Sequence, residues 1–146
     1  STVLTSASDQ GVMGTANGVG THNAGINLPN NSVFTFTIHI SCRKQSSTDS
    51  AAFIIRGAVK NTKGWAIADT STNLPSDMAY ALVGTPIVES YIDSGLSGVT
   101  ATVTTSYYNA LSTNTLANSF FGVQVNGLNS TNLRWVATVD GTLVTY

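Results

Sequence analysis

Charged residues are scarce in this chain of 146 residues. They make up 9% of it, whereas an ordinary soluble domain has about 25%. Six Lys and Arg against seven Asp and Glu leave a formal net charge of −1. A protein that binds nucleic acid through its phosphates needs clustered Lys and Arg. We therefore expect no nucleic-acid partner.

Cysteine, histidine and long apolar runs are also in short supply. Cys42 is the sole cysteine, so neither an intrachain disulfide nor a Cys-rich zinc site is expected. His22 and His39 are the two histidines, and their spacing matches no zinc motif. No stretch approaches the roughly 18 consecutive apolar residues of a membrane-spanning helix. The sequence thus predicts no metal, no cofactor and no membrane insertion.

What the chain does contain favours β-structure. Ser, Thr and Asn make up about a third of it and are poor helix formers, and Thr beside Val, Ile, Phe and Tyr favours strands. Phe34, Phe36, Ile38, Ile40 and Cys42 alternate with polar residues. This period of two predicts a strand with one buried and one hydrated face.

Similar patterns predict further strands along the chain. They cover residues 52–59, 65–68, 80–83, 87–91, 99–104, 121–125, 133–139 and 142–146. Asp140-Gly141 predicts a two-residue hairpin turn between the last two of them. About eight strands without a convincing helix indicate an all-β fold, an antiparallel β-sandwich or jelly roll.

The first 31 residues differ from the rest. They are rich in glycine and keep no regular apolar period. We interpret residues 1–31 as an extended N-terminal arm or stalk end, either partly flexible or ordered by neighbouring subunits. Residues 32–146 form the predicted β-sandwich domain.

The residues expected of an enzyme are few. His39 falls on the hydrated face of its predicted strand, and no serine lies in a Gly-x-Ser-x-Gly elbow. A glycosidase needs two carboxylates about 5–10 Å apart, and among seven acidic residues Glu89 is the one least easily dismissed as a turn or loop residue. We therefore expect no catalytic residues, with glycosidase activity kept as an alternative.

Exposed aromatic and amide residues offer a candidate binding site. Tyr107, Tyr108 and Asn109 lie at a predicted strand end, and Asn114 follows in the same polar loop. Tyr combined with Asn and Ser is typical of adaptable recognition surfaces. We predict receptor binding by these four residues; the alternative is a strand terminus with one tyrosine buried.

A second candidate set concerns subunit contacts. Alternation places Trp135 in the core with Leu133 and Ala137, and turns Arg134 outward. The alternative role for Trp135 is a platform for a sugar ring. Arg56 lies on the hydrated face of an earlier strand. We predict that Arg134 and Arg56 contribute to a subunit interface.

Three segments resemble a known module. They are Phe34–Ile40, Ala51–Asn61 and Phe121–Tyr146, and the stretch Arg134–Val139 is the most specific part. Together they resemble a small β-sandwich module of bacteriophage virion proteins, often found at the C-terminal end of tail fibres and tailspikes. Such fibres are usually longer and carry a coiled-coil or β-helix stalk. This sequence contains neither the heptads nor the helical repeats of such a stalk.

The resemblance implies a structural role in the virion, a homotrimer and a location on the particle surface, and it implies no catalytic residues. We predict a distal tail fibre or tailspike module that binds a host surface glycan or protein. One alternative is a capsid decoration or head-fibre protein that contacts other virion proteins. Others are a trimerisation cap and, less well supported, a fimbrial adhesin.

Overall fold

The computed structural model describes residues 2–6, 10–12, 26, 28–62, 80–107, 118–128 and 130–145. Within these ranges the chain forms β-strands and one short 3₁₀ helix, Ser94–Leu96. The nine strands are β1 Thr2–Ser6, β2 Gln10–Val12, β3 Ser32–Lys44, β4 Ser50–Asn61, β5 Tyr80–Leu82, β6 Ile87–Ile92, β7 Thr100–Tyr107, β8 Asn118–Asn126 and β9 Leu133–Thr145.

The strands form two antiparallel sheets. The larger sheet has the order β1-β9-β3-β4, and β5 and β6 both pair with the outer edge of β4. The smaller sheet has the order β2-β8-β7. Buried side chains from both sheets form one hydrophobic cluster, so the prediction of an all-β, sandwich-like fold is confirmed. Jelly-roll connectivity stays a prediction.

The core follows from the alternation in the sequence. In β3 the side chains of Phe36, Ile38, Ile40 and Cys42 are buried. Ile40 and Cys42 lie opposite buried residues of both β4 and β9, because the strands pair in register over most of their length. Removing these apolar side chains from water contributes roughly 25 cal/mol for each Å² buried. The large sheet therefore has one apolar inner face and one hydrated outer face.

Aromatic rings join the two sheets. Phe121 of β8 is fully buried, and its ring centroid lies 4.6 Å from that of Phe36 and 6.2 Å from that of Phe34. Centroid separations of 4.5–7 Å are typical of favourable ring pairs. This three-ring cluster therefore packs the small sheet against the large one.

The predicted turn at Asp140-Gly141 is wrong. Both residues lie inside β9, which runs on from Leu133 to Thr145 and pairs with β3 throughout. A Cβ at position 141 would overlap the carbonyl oxygen of Thr35 and lie 2.6 Å from the ring of Phe34. The glycine is therefore present to let the strand and the ring approach closely, a role that local sequence does not distinguish from a turn.

The remaining sequence predictions concern the N-terminal arm, the domain boundary, the strand at residues 65–68 and membrane insertion. Parts of the predicted N-terminal arm are strands, since β1 pairs with β9 and β2 pairs with β8. The domain boundary at residues 31 and 32 stays a prediction. The predicted strand at residues 65–68 lies outside the described residues. No helix within the described ranges is long and apolar enough to cross a membrane.

Candidate functional site

Four strands bring a set of side chains together on the outer face of the large sheet. One row across the sheet reads Tyr91 on β6, Ala52 on β4, Ser41 on β3 and Val136 on β9, because each is the register partner of the next. Tyr91 is 60% exposed, and the other three are half-buried or exposed. The row thus combines a ring, a hydroxyl and two small apolar groups.

A shallow concavity of about 740 Å³ covers this row, and we call it the outer concavity. Its lining comes from the ends of β3, β4, β6 and β9, which lie near one another at one end of the sheet. The lining residues are Ser41, Cys42, Arg43, Ser50, Ala51, Ala52, Tyr91, Ile92, Asp93, Arg134 and Val136.

A short chain of polar contacts orients the tyrosine. The Tyr91 hydroxyl donates to a carboxylate oxygen of Glu89 at 3.4 Å, and the Arg56 guanidinium donates to the other oxygen of that carboxylate. Both Arg56 and Glu89 are partly exposed, so their ion pair contributes little to stability. It fixes Glu89, and Glu89 in turn restrains the Tyr91 side chain at the concavity.

A carboxylate lies two residues after Tyr91, on the same side of the concavity. Asp93 accepts hydrogen bonds from the Ser50 amide at 2.9 Å and from the Ser50 hydroxyl at 3.0 Å. These bonds, the amide first and the hydroxyl second, hold the pKa of the Asp93 carboxyl below its ordinary value. Asp93 is therefore ionised at neutral pH and ties the loop after β6 to the start of β4.

The nucleophilic and metal-binding side chains of the described residues do not converge. His39 is exposed on the outer face of β3, as predicted. Burial raises the pKa of the Cys42 thiol from 9.0 to about 11, so the thiol stays protonated at neutral pH and packs as an apolar group. Within the described part of the chain no three His, Cys, Asp or Glu residues are grouped so that they could hold a metal ion.

Of the four predicted receptor-binding residues, the structure describes one. Tyr107 ends β7, and Tyr108, Asn109 and Asn114 lie outside the described residues. Their role stays a prediction.

The predicted interface residues are both on the outer face. Arg56 forms the ion pair with Glu89, and Arg134 lines the outer concavity. Trp135 is fully buried against Phe53, with ring centroids 6.2 Å apart, so its predicted place in the core is confirmed. It is not a platform for a sugar ring. A role for either arginine in subunit contacts stays a prediction.

Sequence reasoning missed the outer concavity because its residues are far apart in the chain. Ser41 and Tyr91 are 50 positions apart, and neither belongs to a motif. Only strand register brings them into one row. Alternation placed Ser41 on a hydrated face and turned Arg134 outward, and these were the indications available.

Comparison with known proteins gives no family. The chain matches no protein-family model, and searches of curated proteins and of solved structures give no significant match. The class that the fold defines is an all-β protein of two packed antiparallel sheets.

Proposed function

We propose that the chain is a non-enzymatic binding module of a bacteriophage virion, the distal part of a tail fibre or tailspike that contacts a glycan or protein on the host surface. The observation that carries this proposal is the outer concavity, where an exposed ring, hydroxyls and small apolar groups meet on a rigid sheet. Such a mixture suits adaptable recognition. The resemblance of three segments to phage fibre modules supports the place in the virion.

Tyr91 is the group on which binding should depend most. Large aromatic residues at the centre of a contact often supply about 2 kcal/mol or more, which corresponds to more than about tenfold in affinity. We expect Tyr91→Ala to weaken binding of the labelled chain to an array of bacterial surface polysaccharides by at least about that factor. Because Tyr91 is 60% exposed, the melting temperature should barely change.

Tyr91→Phe is the matched control. It keeps the ring and removes the hydroxyl that donates to Glu89, so it should retain most of the binding. Equal binding by wild type and Tyr91→Ala would contradict the proposed site. Retention of no polysaccharide by the wild type would contradict the proposed function for glycan receptors.

We also propose that the module is a homotrimer whose subunits meet at the edges of the large sheet. Val83, Ile87 and Val88 are 50%, 63% and 45% exposed along one edge, and Leu143 and Val144 are 43% and 50% exposed at the end of β9 near the other. Exposed apolar edge strands invite pairing with another chain. A head-to-tail contact between two different edges closes into a ring when the rotation permits.

Ile87→Lys should disrupt this assembly. The new charge would be buried without a partner at the contact, so we expect light scattering to report a shift from three times the monomer mass towards the monomer. Lys60→Gln, which alters an exposed residue of β4, should leave the mass unchanged. A wild-type chain that is monomeric at high concentration would rule out the trimer.

The capsid-decoration alternative has less support. That alternative needs an N-terminal arm free to reach neighbouring capsid proteins, whereas β1 and β2 pair with β9 and β8 of their own chain. Copy number separates the two functions, because a decoration protein is present in hundreds of copies and a fibre in a few dozen or fewer.

A further inference from the structure

Two arginines lie directly opposite each other at the outer concavity. Arg43 of β3 is the register partner of Arg134 of β9, and both side chains are exposed. Cβ atoms of directly opposite residues are about 4.5–5.5 Å apart, and like charges at such positions are destabilising. The two adjacent positive charges therefore lower the stability of the sheet.

No carboxylate among the described residues forms an ion pair with Arg43 or Arg134. The one ion pair within those ranges joins Arg56 to Glu89. Asp93, which also lines the concavity, accepts hydrogen bonds from the amide and hydroxyl of Ser50 and keeps its negative charge. Lys44 follows Arg43 in the chain, but its side chain alternates to the other face of β3. Two of the chain's six Lys and Arg are thus adjacent on the outer face of a protein that has few charged residues.

Both arginines also line two neighbouring depressions in the surface. Arg43 and Arg134 line the outer concavity and a neighbouring concavity of about 390 Å³, which Lys44, Gln45, Asn132 and Leu133 complete. Guanidinium groups bind carboxylates with two parallel hydrogen bonds. Beside them, the Ser41 hydroxyl, the Ser50 oxygen as an acceptor and the Tyr91 ring offer contacts that suit a polyol.

We infer that the ligand is an acidic saccharide, whose carboxylate is bound between Arg43 and Arg134 while its ring and hydroxyl groups contact Tyr91, Ser41 and Ser50. This inference rests on the proposed function and adds the chemical class of the ligand. A nucleic acid fits less well, because two cations in the same concavity as the Asp93 carboxylate do not form an extended basic surface. The two adjacent arginines thus lower the stability of the protein and in return bind the carboxylate of the ligand.

Three variants test the assignment. Arg43→Gln and Arg134→Gln each remove one positive charge from the site. Lys60→Gln makes the same change of net charge on the same face of the sheet, away from the site, and is the control. We expect the first two to melt no earlier than wild type, because each relieves a repulsion, and to weaken carboxylate binding by roughly tenfold.

The probes are glucuronate, glucose and inorganic phosphate, titrated separately into the labelled chain and followed by NMR at the arginine side-chain N–H signals. Saturable shifts with glucuronate alone, lost in Arg43→Gln and retained in Lys60→Gln, would support the inference. Equal shifts with phosphate would indicate a general anion site and overturn it. A lower melting temperature in both arginine variants would show that the two arginines stabilise the fold, and this result would also overturn the inference.

Binding to the polysaccharide array tests the acidic ligand separately from the proposed binding to the host surface. Equal retention on acidic polysaccharides and on their carboxyl-reduced forms would overturn the acidic ligand and leave host-surface binding standing. Retention on neither would overturn both.

Discussion

Replacing Trp135 with alanine should lower the free energy of unfolding by about 3–5 kcal/mol, the usual cost of emptying a large buried aromatic site. Trp135 is fully buried in β9, and β9 pairs with both β1 and β3. Its ring stacks on Phe53 of β4, so the cavity would open at the centre of the large sheet. Since domains of this kind have about 5–15 kcal/mol in total, the variant should be close to unfolding. Urea denaturation followed by circular dichroism measures the loss.

Trp135→Phe is the informative control. The indole Nε1 is buried and has no hydrogen-bond partner among the described residues, and an unsatisfied buried donor costs about 1–3 kcal/mol. Phenylalanine keeps most of the ring and removes that donor, so the two effects oppose each other. We expect a loss below about 1.5 kcal/mol. Equal losses for the two variants would show that Trp135 is not packed as described.

Gly141→Ala should lower the free energy of unfolding by about 2–3 kcal/mol, within the range for overpacked sites. The new Cβ would overlap the backbone oxygen of Thr35, which cannot move without breaking the pairing of β3 with β9. We expect the last residues of β9 to separate from β3 and to lose protection from amide hydrogen exchange. The loss should be confined to the end of the strand, since Leu133–Ala137 are held on both sides.

Gly57→Ala is the comparison, because Gly57 and Gly141 both lie opposite Phe36 in neighbouring strands. A Cβ at position 57 would lie 2.8 Å from the far end of the Phe36 ring and 3.3 Å from Pro86. A ring can turn aside more easily than a backbone carbonyl, so this substitution should cost less. If Gly141→Ala had wild-type stability and full exchange protection, the continuous strand would be wrong and the turn would return as the better interpretation.

The inner face of the large sheet could be predicted from the sequence. Alternation from Phe34 to Cys42 gave the buried set of β3, and the same reasoning placed Trp135 inside and Arg134 outside. These predictions succeeded because a strand's side-chain period depends on backbone geometry alone. The predicted turn at Gly141 was wrong because a glycine in a turn and a glycine under an aromatic ring cannot be told apart from the local sequence.

The candidate site could not be predicted in the same way. Arg43 and Arg134 are 91 positions apart in the chain, and they become neighbours only through the register of β3 with β9. The sequence did predict separate strands on the two sides of Gly84, at residues 80–83 and 87–91. It did not show that both strands pair with the same edge of β4. Pairings of this kind depend on the whole fold, so a single sequence shows which face a residue takes and not which residues it meets.

The central claim is that the outer face of the large sheet makes contact with a host surface and does no chemistry on it. Mapping by NMR during titration with bacterial surface polysaccharide tests this most directly. Perturbed signals should cluster at Ser41, Ala52, Tyr91 and Val136, with β7 and β8 unaffected and the polysaccharide recovered at its original length. Perturbations confined to β7 and β8, or shortening of the polysaccharide during the titration, would contradict the account.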